Sequence, residues 1–586
     1  MEELFTPSLK ARFTRDHIPI NLMLILMAAV QPELFLVPNH MPDALLHFAG
    51  SSPESRGAIH TRREVAEFTL DLAGWQTGGD LTSMRLLEPS AGHGDFLEPA
   101  VKRLLADKKS CGIDKLENCI RAVEVDEKSL FICRERLEPI IRANGFDDKK
   151  TQHLLNAWLI HADFLTFQLP SHFTHIVGNP PYIRLEALPK DLLRLYRSLW
   201  RSLFDRADLY VAFIEKSLTL LAPEGKLGFI CADRWMKNRY GGPLREIIAS
   251  QFHLDTYVDF TNCPAFHDEV SAYPAVTIIR RGIGTKTRTA FRPEISSTSL
   301  NELARGLSGI VKHPNVKTFN SIIKGNRPWI FDNDGSLEII RRLENTLPTL
   351  EEAQCRVGIG VATGADAIFI GREEDLDVEP ERKLPLVTTK DIQSGSISWK
   401  GLWVLNPFND NGSLINLHDY PRFKKYVEHH RTVIEKRNVA ERNPKGWFRT
   451  IDRIHSQLTA TPKLLIPDIK GTAHVVFESG QYYPHHNLYF VTSRHWSLDA
   501  LRIVLRSRVA FAFIAAYCPR MRGDFLRFQA QYLRRIRLPL WTKVDVNLRR
   551  KLTEAAANED SALADEAVQE LYKFNKSDWV TLAKPS

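Results

Sequence analysis

What the 586-residue chain lacks narrows it first. Its seven cysteines (Cys111, Cys119, Cys133, Cys231, Cys263, Cys355 and Cys518) form no CxxC pair and no Cys/His cluster. Neither a zinc site nor a disulfide framework is indicated, no metal is expected, and a reducing, cytoplasmic compartment fits. GxGxxG and GK[ST] are both missing, which disfavours NAD and ATP as ligands. No apolar run is long enough to cross a bilayer. Ile18 to Val30 follows Lys10, Arg12 and Arg15 in the manner of a signal peptide, but Pro32 and Glu33 close it quickly. It reads instead as a buried helix. Charge of one sign does not dominate either. Basic residues number 78 against 70 acidic, a net +8, which suits a polyanionic partner without demanding one.

The length exceeds one core, so two domains are expected. The most informative stretch is His175-Ile-Val-Gly178 followed by Asn179-Pro180-Pro181-Tyr182. Ile176-Val177 reads as the end of a buried strand, and the two prolines hold an extended loop at its carboxyl end. Open α/β sheets bind ligands there. An exocyclic amine on an aromatic ring is a poor nucleophile because its lone pair is delocalised. The Asn179 side-chain oxygen and the Pro180 carbonyl can accept its two hydrogens and so localise charge on the nitrogen. Tyr182 offers a face on which an extruded base can stack. An ordinary proline-rich turn is the plainer alternative.

Upstream, Met84 to Glu88 is a strand that enters the small-residue turn Pro89-Ser90-Ala91-Gly92-His93-Gly94, with a helix to follow. Such a turn lets a nucleotide-type ligand approach the backbone. The strand Ile120 to Glu124 ends in an acid, where a carboxylate can grip ribose hydroxyls. A third strand end carries Asp163, which can accept from an adenine amine, with Phe164 beside the ring. Thr61, followed three residues later by Glu64, reads as a capping box opening a helix, and a helix start can also hold a carboxylate.

These motifs in this order resemble the gamma-class, TaqI-type adenine-N6 DNA methyltransferases of restriction-modification systems, from about residue 55 to 285. The resemblance implies a class I, Rossmann-like α/β domain that binds S-adenosylmethionine, followed by a mixed α/β target-recognition domain. It implies that Thr61, Glu88, Pro89, Ser90, Ala91, Gly92 and Gly94 line the methionine and ribose region. Glu124 would hold the ribose, and Asp163 and Phe164 the cofactor adenine. Asn179, Pro180, Pro181 and Tyr182 would handle the target base, and Phe266 matches the aromatic that forms a second wall of its pocket. A core phenylalanine is the alternative there. His60 and Arg62 depart from the aromatic and proline that commonly flank the threonine. The expected division is an N-terminal helical extension over 1–50, a catalytic domain over 51–295 and a recognition domain over 296–586.

The second half is less patterned. Val357 to Asp366 is glycine-rich without a lysine and reads as a tight turn. Basic residues alternate with aromatics around Arg422 to Tyr426 and Lys445 to Arg449. They do so again over Tyr517 to Arg537, where Arg520, Arg522, Arg527, Arg534 and Arg535 are the DNA-binding candidates. A solvated basic face is the alternative for each. His485-His486 suggests little, since neighbours on a strand diverge and no carboxylate is near in sequence. Pro467-Asp468-Ile-Lys470 matches a nuclease motif only superficially. Asn547 to Phe574 reads as a closing helix.

The expected activity is therefore methyl transfer from S-adenosylmethionine to adenine N6 in double-stranded DNA, by a monomer, protecting DNA from a separately encoded endonuclease. The alternatives are methylation of a protein glutamine amide or of RNA adenine, and less so a fused restriction enzyme. No membrane partner is expected.

Overall fold

The computed structural model describes residues 57–107, 111–268, 273–331, 335–393, 395–470, 474–518 and 526–582. The expected extension over 1–50, the Ser51 to Arg56 linker, Arg520 and Arg522 lie outside them. The chain divides into two compact units, up to Trp329 and from Ile330.

The first unit is built on a nine-stranded sheet. Its strands are β1 (Leu86–Glu88), β2 (Ile120–Glu124), β3 (Leu159–His161), β4 (Phe173–Gly178), β5 (Leu221–Ala232), β6 (Phe252–Asp259), β7 (Pro274–Arg281), β8 (Lys286–Phe291) and β9 (Lys317–Asn320). The order is β3-β2-β1-β4-β5-β7-β6-β8-β9. From β3 to β5 all pairings are parallel, and β7 runs antiparallel between β5 and β6. The chain steps outward from β1 to β3, then crosses back to lay β4 on the other side of β1. The carboxyl ends of β1 and β4 thus meet at a switch point, with Leu86 beside His175 and Leu87 beside Ile176. This is the expected Rossmann-like arrangement.

The division falls after Trp329 rather than at 295/296, because β9 adds an edge strand to β8 and the Trp329 ring meets Trp235 at 5.2 Å. The helix α1 (Arg63–Ala73) buries Val65, Phe68, Thr69 and Leu72, the face that its spacing predicts. Burial of Phe68 alone contributes roughly 1.5–3 kcal/mol. The capping box expected at its start is not formed. Arg62 is the N-cap and no side chain caps it, because Thr61 is held one residue earlier in a β-bridge to Phe266.

The second unit holds two four-stranded sheets. The first contains β10 (Cys355–Ile359), β14 (Lys463–Pro467), β16 (Val476–Glu478) and β18 (Leu488–Ser493) in the order β10-β18-β14-β16. The second contains β11 (Ile370–Arg372), β12 (Lys383–Val387), β13 (Leu402–Leu405) and β17 (Tyr483–Pro484). Ile469–Lys470 forms β15 and Leu526–Arg527 forms β19, a separate pair. One face of the first sheet packs through Val357, Tyr489 and Val491 on helices around Phe513 and Tyr517. The closing helix proves to be two, Val546–Ala557 and Ser561–Tyr572. Glu559 takes a positive φ between them and Asp560 caps the second.

Candidate functional site

One cavity opens at the carboxyl ends of the central parallel strands. Of the residues expected at the cofactor and target sites, Thr61, Glu88 to Gly92, Glu124, Asp163, Phe164, Asn179 and Pro181 line it. Gly94 stands behind the wall. It has φ +87°, and a Cβ there would sit 2.9 Å from the Cys133 sulfur. Pro180 is buried, and Tyr182 and Phe266 stand beside the cavity without lining it.

Asn179 is held by its donor end. Its Nδ2 donates to the Ile59 carbonyl at 3.0 Å and to Thr61 Oγ1 at 3.2 Å. The acceptor end, Oδ1, is buried and has no hydrogen-bond partner among the described residues. Thr61 thus fixes which way the amide faces, a role different from helix capping. An unpartnered buried carbonyl oxygen costs about 1–3 kcal/mol, and a ligand donor would relieve that cost.

The cavity wall carries Glu88, Asp95, Glu124 and Asp163 but no lysine or arginine. Such a lining repels phosphates and suits a ligand bearing positive charge, hydroxyls and amines. Glu124 accepts from the backbone N–H groups of Gly92 (2.8 Å), Val125 (3.0 Å) and Asp126 (2.9 Å), which ties the β1 turn to the end of β2. Asp163 accepts from Leu165 N–H at 3.1 Å and from the Thr166 hydroxyl at 2.7 Å. Burial raises its pKa. Burial, then the nearby Asp95 and Glu124 charges, push the Glu88 carboxyl well above its usual range, and its Oε2 has no partner among the described residues. A cation beside it would favour the ionised form.

Three features were missed by sequence reasoning. His60 contacts Asp95 at 3.3 Å and stacks on His93 at 4.2 Å, and Arg136 reaches Asp95 at 2.9 Å and Glu98 at 2.6 Å. Burial raises the Asp95 pKa, but His60 and Arg136 outweigh it and hold the carboxyl below its ordinary value. The departure at His60 is thereby matched by a local partner, and His60 titrates higher because it bonds Asp95. Second, Lys216 is buried beneath the Asp163-Phe164 turn, where it donates to the carbonyls of Phe164 and Phe167, its ammonium 4.9 Å from the Phe164 ring centre. Burial brings its pKa down to about 8. A lone lysine in an amphipathic helix gives no sequence signal for this. Third, Tyr210 lies 6.1 Å from Tyr182, on which Phe266, the expected second wall, also closes edge-to-face at 6.2 Å and 82°.

In the second unit the three expected DNA-binding arginines among the described residues have partners within the unit. Arg527 pairs with Asp468, Arg534 bonds Glu351 at 2.8 Å, and Arg535 lies 4.1 Å over the Tyr517 ring. The partners Asp468, Glu351 and Tyr517 all belong to the same unit. Asp468, part of the superficial nuclease match, is the Arg527 partner. The histidine reading also changes. His485 and His486 have ring centres 4.1 Å apart and do not diverge, and Asp366 supplies the missing carboxylate at 3.2 Å from His485 Nε2. Fold topology brings Asp366 there from over a hundred residues away. The three offer donor atoms within 4.8 Å of one another. The His485–Asp366 contact fastens the Val357 to Asp366 turn to β17, where Gly360 is needed because a Cβ would overlap the Pro484 and His485 carbonyls.

Comparison with known proteins places both halves. The model of the Eco57I restriction-modification methylase family matches residues 102–266, and that of the TaqI-like C-terminal specificity domain matches residues 384–540. The type II methyltransferase M.PaeR7I of Pseudomonas aeruginosa is 51% identical over 527 residues, 89% of this chain and 92% of its own. M.XhoI of Xanthomonas vasicola is 48% identical over 538 residues, 90% of this chain and 98% of its own. Among solved structures, the type IIL restriction-modification enzyme MmeI, determined in complex with DNA, has a similar fold. Its TM-score is 0.56 at 13% identity, covering 96% of this chain and 77% of MmeI.

Proposed function

We propose that this chain, which belongs to the type II DNA methyltransferases of restriction-modification systems, methylates the N6 amine of an adenine in double-stranded DNA with S-adenosylmethionine as donor. The observation that carries the reading is Asn179. Its amide is clamped by Ile59 and Thr61 so that a buried, unsatisfied oxygen remains beside the cavity. That oxygen and the Pro180 carbonyl accept the two amine hydrogens of the target base, which frees the nitrogen lone pair for attack. Because the acceptors are already oriented, no reorganisation is needed as charge develops.

The acid-lined cavity fits a donor with a positive sulfonium and ammonium, and the lack of lysine and arginine in its wall argues against a polyphosphate. When bound, S-adenosylmethionine supplies an activated methyl group. Glu124 would take the ribose hydroxyls, Asp163 and Phe164 the adenine ring, and Glu88 with the Pro89 to Gly92 backbone the methionine end. Gly92 leaves open space where a Cβ would project, as a backbone cradle requires. The target base stacks on Tyr182. Since the Tyr182 and Phe266 rings meet edge-to-face, one of them turns when the base enters.

The reading carries with it a cytoplasmic monomer acting on one adenine at a time, and a separately encoded endonuclease with the same recognition site. Transfer of labelled methyl from S-adenosylmethionine to unmethylated plasmid, with base-resolved mapping, tests it. Label on adenine in one short sequence context supports the reading. Label on cytosine, RNA or protein refutes it.

A further inference from the structure

The first sheet of the second unit presents a cleft of about 960 Å³ that the methyl-transfer chemistry does not use. Its floor is β10 and β18, paired so that Arg356 stands opposite Thr492 and Gly358 opposite Phe490. Alternation along β10 sends Cys355 and Val357 into the core and leaves Arg356 exposed. A side chain at Gly358 would come within 2.2 Å of the Phe490 ring, so glycine there keeps the floor flat. Arg453, with His455 and Gln457, forms one wall, and Arg494 with His495, following β18, forms another.

Charge in this cleft is not balanced. Arg534 is offset by Glu351 at 2.8 Å, and Glu351 is the cleft's only acid among the described residues. Arg356, Arg453 and Arg494 are exposed and make no ion pair with a described residue. Elsewhere in the unit, Arg422, Arg431, Arg508 and Arg527 each face a carboxylate. Three uncompensated guanidinium groups on one concave surface repel one another and concentrate positive potential, an arrangement that a polyanion relieves. Guanidinium forks also match phosphates and guanine edges, and Gln354, Gln457, Thr461 and Thr492 in the same lining can exchange hydrogen bonds with base edges.

Resting on the DNA-methyltransferase reading, we propose that this cleft is the DNA-gripping surface of the specificity unit, with Arg356, Arg453 and Arg494 as its contacts. It takes that role from Arg527, Arg534 and Arg535, which already have partners within the unit. The test is fluorescence anisotropy with a duplex carrying the mapped target site, over a series of salt concentrations. Each of Arg356→Ala, Arg453→Ala and Arg494→Ala weakens binding roughly tenfold or more. A phosphate contact also lowers the log–log salt slope by about 0.9, whereas a base contact leaves the slope and relaxes sequence preference. Arg550→Ala, whose side chain is 72% exposed on a helix of the same unit, stays within about twofold and reports any general charge effect. All three side chains are exposed, so unchanged thermal unfolding confirms that each variant is folded. Wild-type affinity and slope in all three variants, and in the triple variant, would overturn the cleft while leaving adenine methylation by the parent intact. Lost affinity in variants of a parent that methylates another base would uphold the cleft and refute the adenine reading.

Discussion

In the first unit Glu88, Asp95, Glu124 and Asp163 converge on one cavity with no lysine or arginine in its wall, whereas in the second unit Arg356, Arg453 and Arg494 line one cleft whose sole described acid is already paired. Glu88, Glu124 and Asp163 come from the ends of successive parallel strands and Asp95 from the turn that follows the first of them, so topology gathers them at the switch point. The arginines come from a strand, a loop and a strand exit spread over more than a hundred residues. The first lining suits a small cationic ligand and the second an extended anion. Counting basic residues along a sequence does not show which of them the fold has already paired, as with Arg527 and Arg534. What matters is which of them the fold leaves without a partner.

The sharpest way to break the first half of this contrast is Asn179→Ala. It removes the unsatisfied amide oxygen beside the cavity while leaving the carboxylates in place, so the turnover number falls about 10²- to 10³-fold with donor affinity nearly unchanged. Single-turnover kinetics and calorimetry separate the two effects. Glu124→Ala acts on binding instead. It frees three backbone N–H groups and deletes the carboxylate at the end of β2, weakening S-adenosylmethionine binding roughly 10- to 100-fold by calorimetry. A donor affinity within twofold of the parent would exclude Glu124 from the ribose site.

A pH experiment probes the strand that leads into the Asn179 loop. His175 is buried on β4 with its ring 5.5 Å from Trp75, and burial, then the Lys226 charge, brings its pKa down to about 4. Between pH 6.5 and about 4 the unfolded chain takes up a proton that the folded chain refuses. Stability therefore falls as pH drops through that window, by at most about 3 kcal/mol from this group. His175→Gln flattens this part of the urea-denaturation pH profile. A slope unchanged by the substitution would mean that His175 is protonated in the folded state.

The smallest effect concerns bracing. Arg527→Ala breaks the Asp468 pair, whose side chains are 37% and 18% exposed, and lowers stability by about 1 kcal/mol. DNA affinity stays within about twofold. A tenfold loss of affinity at intact stability would return this stretch to the role its composition suggested.

The legible parts of the molecule were those with local chemistry. Glu88, Glu124, Asp163 and Asn179 each sit where an apolar strand gives way to a turn, and a strand end is visible in a few residues of sequence. The Rossmann-like class of the sheet followed from the family resemblance that these motifs carry. What stayed hidden depended on long-range pairing. Thr61 looked like a cap because Glu64 has the right spacing, yet the β-bridge to Phe266, about two hundred residues away, draws it toward Asn179 instead. Lys216 and Asp366 likewise gain their neighbours only from the fold. The edge strand Lys317–Asn320 is short and exposed, with no hydrophobic alternation to announce it, so the division between units lay later than expected.

The central claim is that the Asn179 acceptor, set beside an acid-lined cavity, activates an adenine amine. Nucleoside mass spectrometry of plasmid DNA treated with S-adenosylmethionine and either the parent or Asn179→Ala tests it most directly. The account predicts N6-methyldeoxyadenosine with the parent and a loss of at least a hundredfold in its rate with the variant. N4-methyldeoxycytidine from the parent, or equal adenine methylation by both proteins, would contradict it.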